Sequence, residues 1–214
     1  MERVILFDMD GVLVNTEPLH YRLWKQVFAE RGIGLTFEAY KGCIGANGKR
    51  LMELVLEHYG VDFRGNQALF DRYYELKSQH LRHGDIPRIE GVNETLAELQ
   101  KRGYRMAVAS SSTQDYIDLC TERVGIAPYF QVRFSAQWVK NTKPAPDVFL
   151  AAAEQMGAKP EGCVVVEDST NGTLAAKAAG MRCIGFANPD SPGQCLDAAE
   201  QTVYPFCRLL DVLK

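Results

Sequence analysis

The sequence predicts an α/β protein, a doubly wound parallel sheet with a Rossmann-like core and an inserted α-helical domain. In residues 1–14 and 89–214, short apolar runs alternate with helical patterns. Strands that alternate with helices form parallel sheets through right-handed crossovers. Residues 15–88 carry consecutive helical patterns and no convincing buried strand. We therefore predict a core domain of residues 1–14 and 89–214 and an α-helical cap domain of residues 15–88.

The strands of the core are predicted from four apolar runs. Residues 4–7 form a continuous run that is β-branched at its start, which is typical of a strand buried on both faces. Three further runs of this form lie at residues 106–109, 163–166 and 183–186. Each run is followed by polar residues, and ligands bind parallel sheets beyond the carboxyl ends of the strands. We expect the functional site at that edge.

The helices are predicted from apolar residues at helical spacing. In the core, four such patterns end at a glycine that can serve as the C-cap; these glycines are Gly103, Gly125, Gly157 and Gly180. In the cap, Thr16 can act as the N-cap of a first helix, and further helices are predicted from about residue 49 to 59 and from about 67 to 81.

The composition excludes several classes of partner. The 214 residues include 46% hydrophobic and 24% charged residues, the balance of a globular protein. A net charge of −3 provides no basic field for nucleic acid or an anionic membrane. No apolar stretch approaches the roughly 20 residues of a membrane span, and the first residues are unlike a signal peptide. We expect a cytoplasmic protein without nucleic-acid or membrane partners; the oligomeric state stays open, with a monomer as one alternative.

Two carboxylates follow the first predicted strand directly. Asp8 and Asp10 are separated by one residue and precede Gly11. An acidic turn would have the same composition, since Asp and Gly are common turn residues. The pair by itself therefore leaves a structural and a functional interpretation equally open.

The ends of the other strands favour phosphoryl transfer. This reaction needs a nucleophile, positive charge and hydrogen-bond donors around the phosphoryl oxygens. Asp8 offers the nucleophile, Ser110 a hydroxyl and Lys143 a positive charge. Glu167 and Asp168 offer the oxygen ligands that Mg²⁺ prefers. A doubly wound sheet would bring these separate segments together.

Four ordered motifs carry a resemblance to a known family. They are DMDGVL at residues 8–13, VASS at 108–111, KPAPD at 143–147 and VEDSTNG at 166–172. With these motifs the chain resembles, over essentially its whole length, the haloacid dehalogenase superfamily of hydrolases. It is most similar to the subgroup that contains β-phosphoglucomutase and small sugar-phosphate phosphatases.

The resemblance implies a role for each matching residue. Asp8 would be the nucleophile, and Asp10 would be the general acid and base. Ser110 and Lys143 would bind the transferring phosphoryl group. The Mg²⁺ ligands would be Asp8, the Asp10 backbone carbonyl, Asp168 directly and Glu167 directly or through water. Asp10 favours phosphate esters, because phosphatases and phosphomutases keep an acid at this position, whereas dehalogenases and phosphonoacetaldehyde hydrolases lack it.

The cap residues are assigned less directly. Residues 16–24 resemble the hinge and first cap helix of β-phosphoglucomutases, where His20 would support Asp10; a half-buried helix residue is an equal alternative for His20. Residues 42–50 occupy the place of the substrate-specificity loop, where a flexible loop and a solvated helix start are the alternative. The predicted substrate-binding residues are Thr16, His20, Lys49, Arg50 and Ser111.

The predicted function is a Mg²⁺-dependent phosphatase for a small phosphorylated metabolite, preferably a sugar phosphate. A β-phosphoglucomutase-type phosphohexomutase is the first alternative, but residues 42–50 do not match the loop expected to carry the mutase's phosphate-binding arginine. A phospho-accepting signalling receiver is the alternative of another class. It is disfavoured because the phosphoacceptor of receivers follows an internal strand, whereas Asp8 follows the first strand.

Overall fold

The computed structural model of the chain describes residues 4–213, apart from the side chains at positions 82 and 83. Its sheet consists of β1 (Val4–Phe7), β2 (Arg105–Ser110), β3 (Val132–Ser135), β4 (Cys163–Glu167), β5 (Arg182–Phe186) and β6 (Gln201–Val203). The strands lie in the order β3-β2-β1-β4-β5-β6, and all pairs are parallel. The predicted parallel sheet is confirmed. The two edge strands β3 and β6 were not predicted.

Helices cover both faces of this sheet. They are α5 (Val92–Lys101), α6 (Gln114–Arg123), α7 (Asp147–Gln155), α8 (Thr170–Ala178) and the short α9 (Leu209–Val212). Successive side chains of a strand point to opposite faces. Accordingly, Ile5 and Phe7 of β1 belong to one buried apolar cluster, and Val4 and Leu6 belong to the other. The continuous apolar run of β1 thus serves two cores at once.

Four helices form a third apolar cluster outside the sheet. They are α1 (Glu17–Ala29), α2 (Phe37–Tyr40), α3 (Gly48–Tyr59) and α4 (Gln67–His83). Within this cluster the ring of Trp24 stacks on that of Tyr73, with centroids 4.2 Å apart. The three predicted cap helices are present, and α2 is additional.

The chain crosses between this helical unit and the sheet at two neighbouring points. Val14 forms an isolated antiparallel bridge with Arg88, and the Asn15 amide donates a hydrogen bond to the Pro87 carbonyl at 2.9 Å. The predicted division at residues 15–88 remains a prediction, and these contacts and the separate apolar cluster support it.

The six cysteines all lie within the described residues. Cys43, Cys120, Cys163 and Cys183 are buried, the other two are exposed, and all six are free thiols. Within residues 4–213, no helix combines the length and the apolar character needed to cross a membrane.

Candidate active site

The carboxyl ends of the three central strands bring the predicted residues together. Asp8 follows β1, Ser110 is the final residue of β2 and Glu167 is the final residue of β4. The register aligns Phe7 with Val108 and with Val166, so these ends lie side by side. The sheet topology thus places the separate motifs at one edge.

A buried ammonium group lies among the acids at this edge. The Lys143 side chain is fully buried and donates hydrogen bonds to Asp8 Oδ1, to Glu167 Oε1 at 2.7 Å and to the Ala109 carbonyl at 3.3 Å. Burial alone would lower the pKa of Lys143, but the two carboxylates outweigh it and raise this pKa. Lys143 therefore stays charged and orients both acids.

Three carboxylates meet around this single ammonium. Oxygen atoms of Asp8, Glu167 and Asp168 lie within 4.8 Å of one another. Burial, followed by repulsion from Glu167 and Asp10, raises the pKa of Asp8 to about 8 although Lys143 opposes the shift. Burial and Glu167 likewise raise the pKa of Asp168, whose buried Oδ2 has no hydrogen-bond partner within the described residues. Three carboxylates share one ammonium, and a set of oxygen ligands with this excess of negative charge suits a hard divalent cation.

Two glycines make room for these acids. Gly11 has φ +88°, and a Cβ there would lie 2.1 Å from Asp168 Oδ2. A Cβ at Gly172 would lie 1.7 Å from Glu167 Oε1. The first turn of α8 therefore approaches the Glu167 carboxylate, which accepts hydrogen bonds from the Ser169 amide at 2.9 Å and hydroxyl at 2.8 Å. The glycines of the two motifs are therefore required by the close packing around these carboxylates.

Asp10 lies in a different environment from Asp8. Its Oδ1 accepts hydrogen bonds from the Thr16 hydroxyl and from His20 Nε2 at 3.0 Å, and its Oδ2 accepts one from the Ser112 hydroxyl at 2.8 Å. Burial alone would raise the pKa of Asp10, but His20, Lys77 and Thr16 outweigh it and hold this pKa well below its usual value. Asp10 is therefore ionised in this arrangement.

His20 connects Asp10 to the cap. Its Nδ1 lies 2.6 Å from the Tyr73 hydroxyl. Burial and the nearby Lys77 lower the pKa of His20 in spite of Asp10. The neutral ring then carries its proton on Nε2 toward the carboxylate and accepts from Tyr73 at Nδ1. Thr16 and His20, which we predicted to bind substrate, contact Asp10 in this structure.

A cavity of about 120 Å³ lies between the strand ends and the cap. The residues lining it include Asp8, Asp10, Glu17, His20, Trp24, Phe70, Tyr73, Tyr74, Lys77, Ser110 and Ser111. Ser111 also donates a hydrogen bond to the Gly45 carbonyl of the cap at 3.0 Å. The predicted nucleophile, the acid and base, and the two serines therefore line one cavity.

Lys49 and Arg50 do not line this cavity. Lys49 is exposed, and Arg50 pairs along α3 with Glu53 at 2.8 Å and with Glu57 at 3.4 Å. Both side chains point outward from α3, and Lys49 lines a neighbouring cavity of about 470 Å³ beside the start of this helix. Their role in substrate binding stays a prediction.

The cation that the sequence analysis missed is Lys77 of α4. It is buried, lines the cavity, and its Nζ lies 3.2 Å from the centroid of the Tyr116 ring. Burial lowers the pKa of Lys77 to about 8. The signal was present, since Lys77 follows Tyr73 by four residues and thus occupies the apolar face of the helix.

The loop before α3 docks on the core beside the acids. The Asn171 side chain donates hydrogen bonds to the Ile44 carbonyl at 2.8 Å and to the Gly42 carbonyl at 3.3 Å. Gly45 has φ +74°, and a Cβ there would lie 2.0 Å from Ser169 Oγ. Only glycine allows this approach, so the loop covers the strand ends closely.

Comparison with known proteins decides the family. The family model described as haloacid dehalogenase-like hydrolase matches residues 5–186. The chain belongs to this family. The family predicted from the four motifs is confirmed.

Individual haloacid dehalogenase-like relatives are similar over most of this chain. The fructose-1-phosphate phosphatase YqaB of Escherichia coli is 31% identical over 84% of this chain and 94% of its own length. The chloroplastic protein Suppressor of Quenching 1 of Arabidopsis thaliana is 33% identical over 93% of this chain, which spans 19% of that longer protein. A crystal structure of CbbY from Rhodobacter sphaeroides with phosphate has a TM-score of 0.84 and 29% identity, covering 100% of this chain and 99% of CbbY. The predicted enzyme class, a hydrolase of phosphoric monoesters, agrees with the name of the YqaB relative.

Proposed function

We propose that this protein is a Mg²⁺-dependent phosphatase that transfers the phosphoryl group of a small metabolite to Asp8 and then to water. The observation that carries this proposal is the contrast between two neighbouring carboxylates. Asp8 contacts Lys143 and forms an acidic cluster with Glu167 and Asp168. Asp10 lies among hydrogen-bond donors instead. Paired acids in opposite environments are typical of a division of roles in catalysis.

Asp8 is the proposed nucleophile. Its Oδ attacks phosphorus, the bond between phosphorus and the leaving oxygen breaks, and an aspartyl-phosphate forms. Lys143 and the Ser110 hydroxyl stabilise the charge on the phosphoryl oxygens. A bound Mg²⁺, held by Asp8, Asp168, Glu167 and the Asp10 carbonyl, would supply the positive charge that the acidic cluster lacks.

Asp10 is the proposed acid and base. It protonates the leaving alkoxide in the first step and removes a proton from the attacking water in the second. The ionised form held by Thr16, His20 and Ser112 is the form that serves the second step. Since those contacts come from both the cap hinge and the core, closure of the cap would set the position of Asp10.

The charges in the cavity favour phosphatase over mutase activity. A mutase must retain a bisphosphate intermediate, which requires cations for the far phosphate. Lys49 and Arg50 lie outside the cavity, and among the residues described as lining it Lys77 is the one ammonium. The fructose-1-phosphate phosphatase relative supports a sugar phosphate as substrate. We also propose a cytoplasmic location, which the exposed free thiols of Cys195 and Cys207 support.

Phosphate release tests this proposal. Purified protein with Mg²⁺ should hydrolyse p-nitrophenyl phosphate and at least one of fructose 1-phosphate, glucose 6-phosphate and ribose 5-phosphate, and EDTA should stop the reaction. Asp8→Asn keeps the shape but removes the nucleophile, so we expect loss of turnover with an unchanged circular dichroism spectrum. Activity in EDTA, or a tenth of the wild-type kcat in Asp8→Asn, would contradict the mechanism. With β-glucose 1-phosphate and trace glucose 1,6-bisphosphate, we expect phosphate release to exceed isomer formation.

A further inference from the structure

Aromatic rings form the cap side of the active cavity. Trp24, Phe70, Tyr73 and Tyr74 all line it, and we call these four residues the aromatic wall. Trp24 contacts Phe70 edge to face at 5.6 Å and stacks on Tyr73. Tyr73 in turn contacts Tyr74 edge to face at 5.4 Å. The rings therefore form one continuous apolar surface above the strand ends.

Tyr74 is the outermost ring of the aromatic wall. Tyr74 is 46% exposed. Tyr74 lines the active cavity and also two neighbouring cavities of about 470 Å³ each, one beside the start of α3 and one between α4 and α6. Among the residues described, it is the one that lines all three. Tyr74 therefore stands at the boundary between the active cavity and both of its neighbours.

The hydroxyl of Tyr74 is available to a ligand. Within residues 4–213 the structure records no hydrogen bond of this hydroxyl, whereas the hydroxyl of the adjacent Tyr73 is engaged by His20. A tyrosine offers an apolar face and one donor and acceptor at its tip. This combination suits a molecule that has both carbon-bound hydrogens and hydroxyl groups.

Inside the active cavity, Lys77 is the one ammonium among the residues described as lining it. Its Nζ lies over the Tyr116 ring, 3.2 Å from the ring centroid. In the cavity beside α3, Arg64 is paired with Asp62 at 2.7 Å and Lys49 is exposed, and in the cavity between α4 and α6, Arg123 is exposed. Burying a second phosphate without a dedicated cation is costly. An uncharged leaving group avoids this cost.

We propose that Tyr74 is a specificity-determining residue which favours phosphate monoesters whose alcohol part is an uncharged, hydroxyl-bearing ring or chain packed against the aromatic wall. This inference rests on the proposed phosphatase activity and specifies its substrate class. Esters that carry a second phosphate fit this wall poorly. Esters with a very short alcohol part do not reach it.

Matched substrates test the role of Tyr74. We compare kcat/KM for fructose 1-phosphate with fructose 1,6-bisphosphate and for glucose 6-phosphate with glucose 1,6-bisphosphate, with ethyl phosphate as the short ester. The wild type should prefer the monophosphate of each pair. Tyr74→Ala should lower kcat/KM for the better sugar monophosphate about 10-fold, as expected for a lost apolar contact, and change that for ethyl phosphate less than about 2-fold. Tyr74→Phe keeps the ring and should retain most of the preference.

Controls separate this inference from the proposed function. Trp138 is 67% exposed and lines none of the described cavities, so Trp138→Ala should leave the substrate ratios unchanged. Equal losses for all substrates in Tyr74→Ala would indicate a structural role, and a preference for the bisphosphates would overturn the assigned class. Hydrolysis of p-nitrophenyl phosphate without any sugar phosphate would also overturn it while leaving the phosphatase intact. Failure with p-nitrophenyl phosphate as well would instead refute the proposed function.

Discussion

At the scale of single residues, Asp8 and Asp10 show how one residue of spacing separates two environments. The chain leaves β1 at Asp8, where Lys143 is the nearest charge. Asp10 lies where Thr16 and His20 of the hinge and α1 reach the core. The same carboxylate chemistry thus has opposite pKa shifts, because the partners differ in charge and in hydrogen-bonding capacity.

The role of Asp10 predicts a dependence on the leaving group. Asp10→Asn removes the proton donor but keeps Asp8, Lys143 and the acidic cluster. A nitrophenolate leaves without a proton, whereas a sugar alkoxide requires one, and general acid catalysis contributes about 10²- to 10⁴-fold. In rapid-quench measurements, phosphorylation of Asp8 should therefore slow far more with a sugar phosphate than with p-nitrophenyl phosphate. Equal slowing with both would assign the acid to another residue, with His20 as the first candidate.

Lys77 predicts an effect on stability that depends on pH. Its pKa of about 8 in the folded chain lies below the ordinary 10.5, so burial of its charge destabilises the folded state. This cost is fully present below pH 8 and disappears as the pH rises toward 10.5, because the folded chain releases the proton first. At 1.36 kcal/mol for each pKa unit, its upper limit is about 3 kcal/mol.

Urea denaturation of Lys77→Met measures this cost. We expect the free energy of unfolding at pH 7 to rise by about 1–3 kcal/mol, reduced by the stabilisation that is lost with the Lys77–Tyr116 contact. This gain should shrink at pH 9.5. Lys101→Met on α5 is the control for removal of a lysine charge, since Lys101 is exposed. A gain that is independent of pH would show that packing rather than charge causes it.

The site residues differ in how directly the neighbouring sequence locates them. Asp8, Ser110 and Glu167 each stand at the end of an apolar run, so the pattern of the strand locates them. Lys77 lies in the middle of a helix, where a lysine ordinarily faces water. Its spacing of four residues from Tyr73 places it on the apolar face of α4, and the packing of α4 against Tyr116 shows that its side chain turns inward.

At the scale of elements, the sequence predicted the buried strands and missed the edges. β2 and β4 are apolar runs with nearly complete burial, but β3 contains Arg133 and is half-buried, and β6 has three residues. Short edge strands have no continuous apolar pattern, because only one of their sides is paired. Their positions follow from the sheet rather than from their own residues.

The first cap helix shows a related difference. Thr16 precedes α1 at the N-cap position as predicted, but its side chain makes no capping hydrogen bond. The hydroxyl donates to Asp10 instead. The sequence pattern predicted the start of the helix correctly. The hydrogen-bond partner of the Thr16 hydroxyl is set by the position of Asp10, which lies outside the helix.

Docking of the loop before α3 on the core is predicted to affect catalysis. Asn171→Ala removes the two side-chain hydrogen bonds to Ile44 and Gly42, worth about 1 kcal/mol. We expect kcat/KM for a sugar phosphate to fall roughly 5-fold and limited proteolysis of residues 41–47 to accelerate. Asn93→Ala on α5 is the matched control and should change neither quantity. An unaltered kcat/KM together with faster proteolysis would contradict the prediction, because the loop would then be released without an effect on catalysis.

At the scale of the whole molecule, the site joins parts of the chain that are distant in sequence. Lys143 contacts Asp8 across 135 positions and Glu167 across 24. The order of the motifs and the topology of the sheet were enough to predict this meeting. The aromatic wall was not predictable in the same way, because it depends on how α1 and α4 pack together and how the cap lies on the sheet.

The central position of β1 also has a consequence for synthesis. β1 leaves the ribosome before either of its partners, since residues 8–104 separate it from β2 and residues 8–162 separate it from β4. At about 5–20 residues per second, its first partner follows after roughly 5–20 s. During this interval the cap helices can form from local contacts, while an apolar strand with two open edges waits beside them. In the nascent chain, β1 is therefore the segment that a ribosome-associated chaperone would shield.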